Sequence, residues 1–358
     1  IDTREMLLPA AGSFMRAPRT APAENCPLCG DIESTLMFCA PDRLHGTPGE
    51  FAYQRCTGCL TVFQDPRVIQ EDLAICYPHE DYTHEPDGQF SATPAGQLRI
   101  ARDKLRQAIR DSVQNRPAPA MQRALGRLLG LSARLRERAF FHLVDELIPR
   151  WPDRLRALEV GCGAGGLLIK LDRAGWEVDG LEWDAVAAGV ARRRSGCQVF
   201  EGGFSETNIP TGEYQLIVLS HVFEHLEDPL AALHRIKELL APGGRAVLFY
   251  PNPDSAGARA FGDAWAHWDP PRHLVLPPLR SLAKAAKRLG LEPLTCRTRT
   301  GRSAARFART GASEMRPPIE VSIAGRATAA VARILTSLGW RVGEEAIIVL
   351  QKCSDRNL

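Results

Sequence analysis

Along residues 139–353, short apolar runs alternate with stretches in which apolar positions recur every three or four residues. The first pattern suits buried strands, and the second suits amphipathic helices packed against them. Strands are expected at 155–160, 177–182, 198–201, 214–220, 245–250, 294–300 and 346–352. Helices are expected at 140–148, 163–174, 185–194, 230–240, 279–289 and around 324–338. Pro242-Gly243-Gly244 stops one helix and Gly290 another, because neither residue type continues a helix cheaply. Repeated strand–helix alternation is the pattern of βαβ units, so this region reads as an α/β domain with a mainly parallel sheet.

Upstream the pattern changes. Residues 1–24 are rich in Ala and Pro and read as an N-terminal arm. Residues 25–66 are rich in turn-forming residues and carry two pairs of cysteines. Residues 67–138 read as a helical linker or lid, broken around 77–96, and residues 139–358 as the α/β domain. Within 99–138, ten Arg and one Lys stand against Asp103, Asp111 and Glu137, a net charge of +8. A pair of helices with a solvated basic face accounts for this. A basic wall that draws an anionic substrate or an acidic membrane surface is the alternative.

Composition narrows the class. With 44% hydrophobic and 24% charged residues, the 358-residue chain is globular and not disordered. A net charge of +3 gives no reason to expect a nucleic-acid partner. No apolar run approaches the roughly 18 residues of a membrane span. The start, with Asp2, Arg4 and Glu5, does not read as a secretory signal. Ten cysteines in such a length are not a disulfide scaffold, and a cytoplasmic location is expected.

Cys26, Cys29, Cys56 and Cys59 form CxxC pairs separated by 26 residues. Each pair suits a turn that offers two thiolates to one ion, and four thiolates make a closed structural zinc site. Gly30 and Gly58 are expected to give these turns their backbone freedom. A segment this short buries little core, so the metal would supply much of its folding energy.

The run from Leu158 to Gly166 reads LEVGCGAGG, after one strand and before a helix. Gly161, Gly163 and Gly165 permit a tight turn and close approach of a ligand, and the free N–H groups of the helix start favour an anion. Gly161, Gly163 and Gly166 also satisfy GxGxxG, which leaves an NAD-dependent oxidoreductase open. Glu182 closes the second strand, where a carboxylate can accept from both ribose hydroxyls. Glu159 stands two residues before the first glycine, placed to meet a ligand amine.

Together with the stretch from Ser220 to Pro229 (SHVFEHLEDP) and the LLAPGG run before the fifth strand, this order resembles the class I S-adenosylmethionine-dependent methyltransferases. The resemblance implies a seven-stranded Rossmann-like sheet with its last strand antiparallel. It implies a cofactor across the carboxyl ends of the first four strands, with Ser220 and His221 at its border. Relatives often place an acid after the third strand; Gly203 stands there, so backbone groups of Gly203 and Phe204 are expected to meet the adenine. The cysteine-rich head is similar to that of bacterial sugar and natural-product methyltransferases with an N-terminal zinc-binding domain. That likeness implies a small polar acceptor, such as a nucleotide-linked sugar or a natural-product intermediate. A non-catalytic zinc-containing binding protein is the other reading.

Methyl transfer from a sulfonium is an in-line displacement that asks for orientation and removal of the acceptor proton. His225 is the first candidate for the base, with Glu224 orienting it or replacing it. On a helical turn, His221 and His225 would share a face. A second cluster follows the fifth strand: His273 as an alternative catalytic group, Arg272 to hold a polar acceptor, Trp265 and Trp268 as stacking surfaces. Tyr77 and Tyr82 are expected to reach the acceptor from the zinc side.

Overall fold

The computed structural model describes residues 16–77, 105, 108, 119–130, 155–173, 175–300 and 323–353. The chain forms two compact units, one of residues Thr83–Leu155 and one of everything else. The helix expected at 140–148, most of the break at 77–96, and Tyr82 lie outside the described residues. Among the described residues, no helix is long and apolar enough to cross a membrane.

The larger unit opens with a head of strands β1 (Thr20–Ala21), β2 (Ser34–Pro41), β3 (Glu50–Cys56), β4 (Val62–Gln64) and β5 (Arg67–Val68), then the one-turn helix α1 (Gln70–Leu73). Two expectations change here. Part of the arm is structured, because β1 pairs antiparallel with β5. The stretch expected to be helical from residue 67 therefore begins as a strand. Buried Asp72 fastens both, taking Arg16 Nη1 at 2.5 Å and Arg19 Nη2 at 3.0 Å. In the smaller unit, the described residues form helix α2 (Ala120–Gly130).

The α/β part then runs β6 (Arg156–Val160), α3 (Gly166–Arg173), β7 (Glu177–Glu182), α4 (Ala185–Ser195), β8 (Gln198–Glu201), β9 (Tyr214–Ser220), α5 (Pro229–Leu239) and β10 (Leu240–Pro251). It continues with α6 (Ala256–Phe261), β11 (Val275–Leu276), α7 (Leu279–Arg288), β12 (Leu291–Arg299), α8 (Ile323–Ser337) and β13 (Glu345–Lys352). Seven strands form one sheet in the order β12-β13-β10-β9-β6-β7-β8. All neighbours from β8 to β10 run parallel, and β13 is antiparallel to both β10 and β12.

Local chemistry explains the element ends. Asp184 caps α4 by accepting from Ala187 N–H at 2.8 Å. Asp228 accepts from Leu230 and Ala231 N–H, with Pro229 in the first turn of α5. Helix α5 ends before Pro242-Gly243-Gly244, as expected, and that run lies inside β10. Leu240 already pairs with Tyr214, and the chain bulges over 241–244 before Arg245 rejoins Leu216. Helix α3 starts at Gly166, later than expected, because residues 161–165 form the turn over the sheet. The core is strand-built: Leu158, Leu216, Ile217, Val218, Leu248, Ile348 and Leu350 are all fully buried.

The head is not separate from this domain. Strand β11 joins its sheet, in the order β11-β4-β3-β2. Phe51, Tyr53, Val62 and Val68 share one cluster with Trp265, Trp268 and Leu276.

Candidate active site

The glycine loop turns at the carboxyl end of β6. Gly161 and Cys162 N–H both donate to Leu181 O, at 2.8 and 3.1 Å. Gly161 has φ 67°, and a Cβ there would overlap Val222 Cγ2. Gly165 has φ 78°, and its Cβ would crowd the backbone of Ala191. Glu182, at the end of β7, accepts from Gly163 N–H at 2.7 Å and from Asp184 N–H at 3.1 Å. Gly202 N–H donates to Glu182 O, which draws the turn holding Gly203 and buried Phe204 to the same edge. Ser220 ends β9, the strand next to β6.

Glu159 is buried on β6, and its Oε2 has no hydrogen-bond partner. Burial pushes its carboxyl up to about 8, and Glu182 adds to the rise. Burial raises Glu182 as well. A closely shaped loop, a buried acid with a spare oxygen and a second acid at the next strand end fit a cationic, ribose-bearing cofactor. Trp183, 44% exposed directly after Glu182, was not anticipated; an aromatic following the acid at a strand end is the signal that marks it.

The four cysteines lie together. Cys26 and Cys59 sulfurs are 3.5 Å apart, as are those of Cys29 and Cys56, and the four form one potential metal group. Both pairs sit on matching turns: Gly30 N–H donates to Cys26 O at 2.8 Å and Leu60 N–H to Cys56 O at 3.0 Å. The left-handed residues are Gly30 and Leu60, not Gly58. Gly58 instead leaves room for the Asp31 carboxylate, which a Cβ would strike. Four converging thiol groups on two such turns fit a closed zinc site.

Beyond β9 the chain makes a 3₁₀ turn over Phe223–His225. His221 precedes it with φ 56°, so His221 and His225 do not share a helical face as expected. His221 points to two carboxylates, Glu224 Oε1 at 3.3 Å and Glu345 Oε1 at 2.9 Å. Loss of hydration disfavours the charged form of this half-exposed ring, but the two carboxylates outweigh that and raise it to about 10. His225 faces the other way. Its Nδ1 lies 3.0 Å from Arg272 O and 2.8 Å from the Tyr77 hydroxyl. A carbonyl oxygen only accepts, so Nδ1 carries the hydrogen and Nε2 the lone pair. Burial, reinforced by His273, pushes His225 down to about 4, so it is neutral at pH 7. Glu224 is fully buried, and burial opposes its ionisation. Its hydrogen bond to His221 and the charge of that imidazole prevail, and it sits at about 2.

The second cluster divides. His273 joins the site: its Nε2 is 3.9 Å from Glu224 Oε1, and its ring meets that of His225 edge-on at 4.7 Å. Arg272, Trp265 and Trp268, expected to touch the acceptor, do not face it. Arg272 is buried, bonded to both oxygens of Asp42 at 2.7 and 2.9 Å and to Asp269 at 2.5 Å. Trp268 packs on Phe38 and Trp265, and the Trp265 indole donates to Glu344 at 2.8 Å. These groups are consumed in joining the head to the α/β domain. Tyr77 does arrive from the head, its ring 5.6 Å from Trp183 and 6.0 Å from His225.

Residues 132–295 match the model of a family described as a methyltransferase domain. A demethylmenaquinone methyltransferase of Thermus thermophilus is 31% identical over 139 residues, covering 37% of this chain and 62% of that protein. A ubiquinone biosynthesis O-methyltransferase of Cereibacter sphaeroides is 33% identical over 124 residues, covering 32% of this chain and 50% of its own length. The chain thus spans between half and two thirds of these curated relatives. Among solved structures, a geranyl diphosphate C-methyltransferase of Streptomyces coelicolor A3(2) is 17% identical with a TM-score of 0.43, covering 61% of this chain and 77% of that one.

Proposed function

We propose that the protein transfers a methyl group from S-adenosylmethionine to a small polar metabolite, leaving S-adenosylhomocysteine. The observation that carries this is the pairing of the Glu159–glycine loop–Glu182 edge with a neutral His225 whose Nε2 lone pair is set by a backbone carbonyl. The cofactor supplies an electrophilic methyl group on a sulfonium. Gly161, Gly163 and Gly165 give its methionine part room, and Glu182 meets the ribose hydroxyls. Gly203 and Phe204 border the adenine, and Ser220 and His221 stand at the end of β9. Glu159, kept neutral by burial, ionises as positive charge approaches.

On the acceptor side, His225 Nε2 takes the proton from the attacking group. Glu224 lies beside it as an anion and stabilises the imidazolium that forms. His221, bridged to Glu224 and Glu345, keeps Glu224 ionised. The Tyr77 hydroxyl, 2.8 Å from His225 Nδ1, helps to hold the ring's orientation. Zinc held by Cys26, Cys29, Cys56 and Cys59 stabilises the head that delivers Tyr77. We place a nucleotide-linked sugar or natural-product intermediate first as acceptor, on the order of cysteine-rich head and methyltransferase domain. A quinone-type ring is the second reading, favoured by the names of the similar curated proteins.

His225→Asn tests the assignment. Calorimetry should find S-adenosylhomocysteine binding retained, while kcat falls by about 10²–10⁴. Turnover near wild type in the folded variant would remove His225 from the chemistry.

A further inference from the structure

The centre of the acceptor cluster holds three donor groups with nothing bonded between them. Glu224 Oε1 is 3.9 Å from His273 Nε2, and Asp269 Oδ2 is 3.8 Å from the same nitrogen. Glu224, His225 and His273 each present one ligand-capable atom within 4.8 Å of the others. Glu224 is fully buried; its Oε1 is bonded to His221, and its Oε2 has no partner.

The tautomers matter here. His225 Nδ1 faces Arg272 O at 3.0 Å, and His273 Nδ1 faces His267 O at 2.8 Å. Both nitrogens therefore donate, so the tautomer of each neutral ring carries its lone pair at Nε2. A backbone carbonyl fixing Nδ1–H is the arrangement that orients histidines as metal ligands. For His273 that lone pair looks toward two carboxylate oxygens at a separation too long for a hydrogen bond. It is close to the span of two donors that each sit about 2.0–2.2 Å from a shared ion.

We infer that Glu224, His225 and His273 form a second metal site, separate from the four cysteines, for an exchangeable divalent ion of the zinc and cobalt class. Two imidazoles and one carboxylate suit these ions better than magnesium or calcium, which prefer all-oxygen shells. Three protein ligands leave a position open to water. The inference extends the reading of His225 as base: a lone pair that holds an ion takes no proton, so the ion and methyl transfer exclude each other.

The experiment is a cobalt titration of full-length protein whose cysteines are already filled with zinc. One further Co²⁺ per chain should bind, with weak visible absorption and no sulfur-to-cobalt charge-transfer band. That binding should vanish in His273→Ala. Should that variant fail to fold, His225→Gln is the second test, with near-ultraviolet circular dichroism as the control. In the wild type, methyl transfer should fall in proportion to cobalt bound and return when nitrilotriacetate removes it. No additional cobalt up to millimolar concentration, undiminished binding in both folded variants, or unchanged turnover at saturation would each overturn the inference. A protein that binds the ion as described yet never transfers a methyl group fails the functional reading alone.

Discussion

Replacing Gly161 with alanine should damage the proposed cofactor edge in two separable ways. The residue has φ 67°, a left-handed conformation that costs a non-glycine residue about 1–2 kcal/mol. The new Cβ also overlaps Val222 Cγ2, with Val222 Cβ at 3.7 Å and Cγ1 at 3.8 Å. Overpacking of that kind costs about 1–3 kcal/mol. Together the two come to about 2–5 kcal/mol. The free protein can relax by letting the loop shift; the cofactor-bound protein cannot. The cost should therefore be shared between urea unfolding and S-adenosylhomocysteine affinity measured by calorimetry, and the two losses should sum to the total. Val222→Ala removes the overlapping methyl. In the double variant the steric part should return and the backbone part of about 1–2 kcal/mol should remain. Because Val222 leads into Phe223–His225, Gly161→Ala should also lower kcat more than the double variant does. A double variant no better than Gly161→Ala alone would refute the claim that Val222 limits the loop.

Two further outcomes follow from the head. Cys56→Ser should remove zinc and loosen the head, read by elemental analysis and by a lower melting temperature; full zinc content in this variant would refute the four-thiolate site. Arg272→Met leaves buried Asp42 and half-buried Asp269 without their counter-charge and should cost about 3–5 kcal/mol in urea unfolding. Arg272→Lys should recover only part, since an ammonium does not bind both oxygens of Asp42, and a loss under about 1 kcal/mol for Arg272→Met would refute the clamp.

The α/β sheet was legible because its signals are local. Apolar runs such as Tyr214–Ser220, the capping Asp184 and Asp228, and the glycine loop each specify their element within a few residues. What escaped is set by distant partners. Val275–Leu276 is a strand only because β4 lies beside it. The Trp265–His273 stretch resembles an acceptor lid in sequence, yet Asp42, Phe38 and Glu344 draw its side chains inward. The His221–His225 spacing argued for one shared face, and a single left-handed residue turned them apart. Tyr77 is expected near the site because it follows the cysteine-rich head. Its bond to His225, 148 residues away, has no local signature.

The sheet shared by the head and the α/β domain has a consequence for synthesis. Tyr53 in β3 donates to His273 O, a residue made 220 positions later, and β4 waits for β11 as its neighbour. At about 5–20 residues per second, the ribosome needs roughly ten to forty seconds to deliver those partners. During that interval the head has its four cysteines but neither its last strand nor Trp268 to cover Phe38 and Tyr53. Early metal capture would hold the nascent segment compact while its apolar face stays open. A cell short of zinc would then be expected to lose this protein during translation rather than after it, as aggregated or degraded nascent chains.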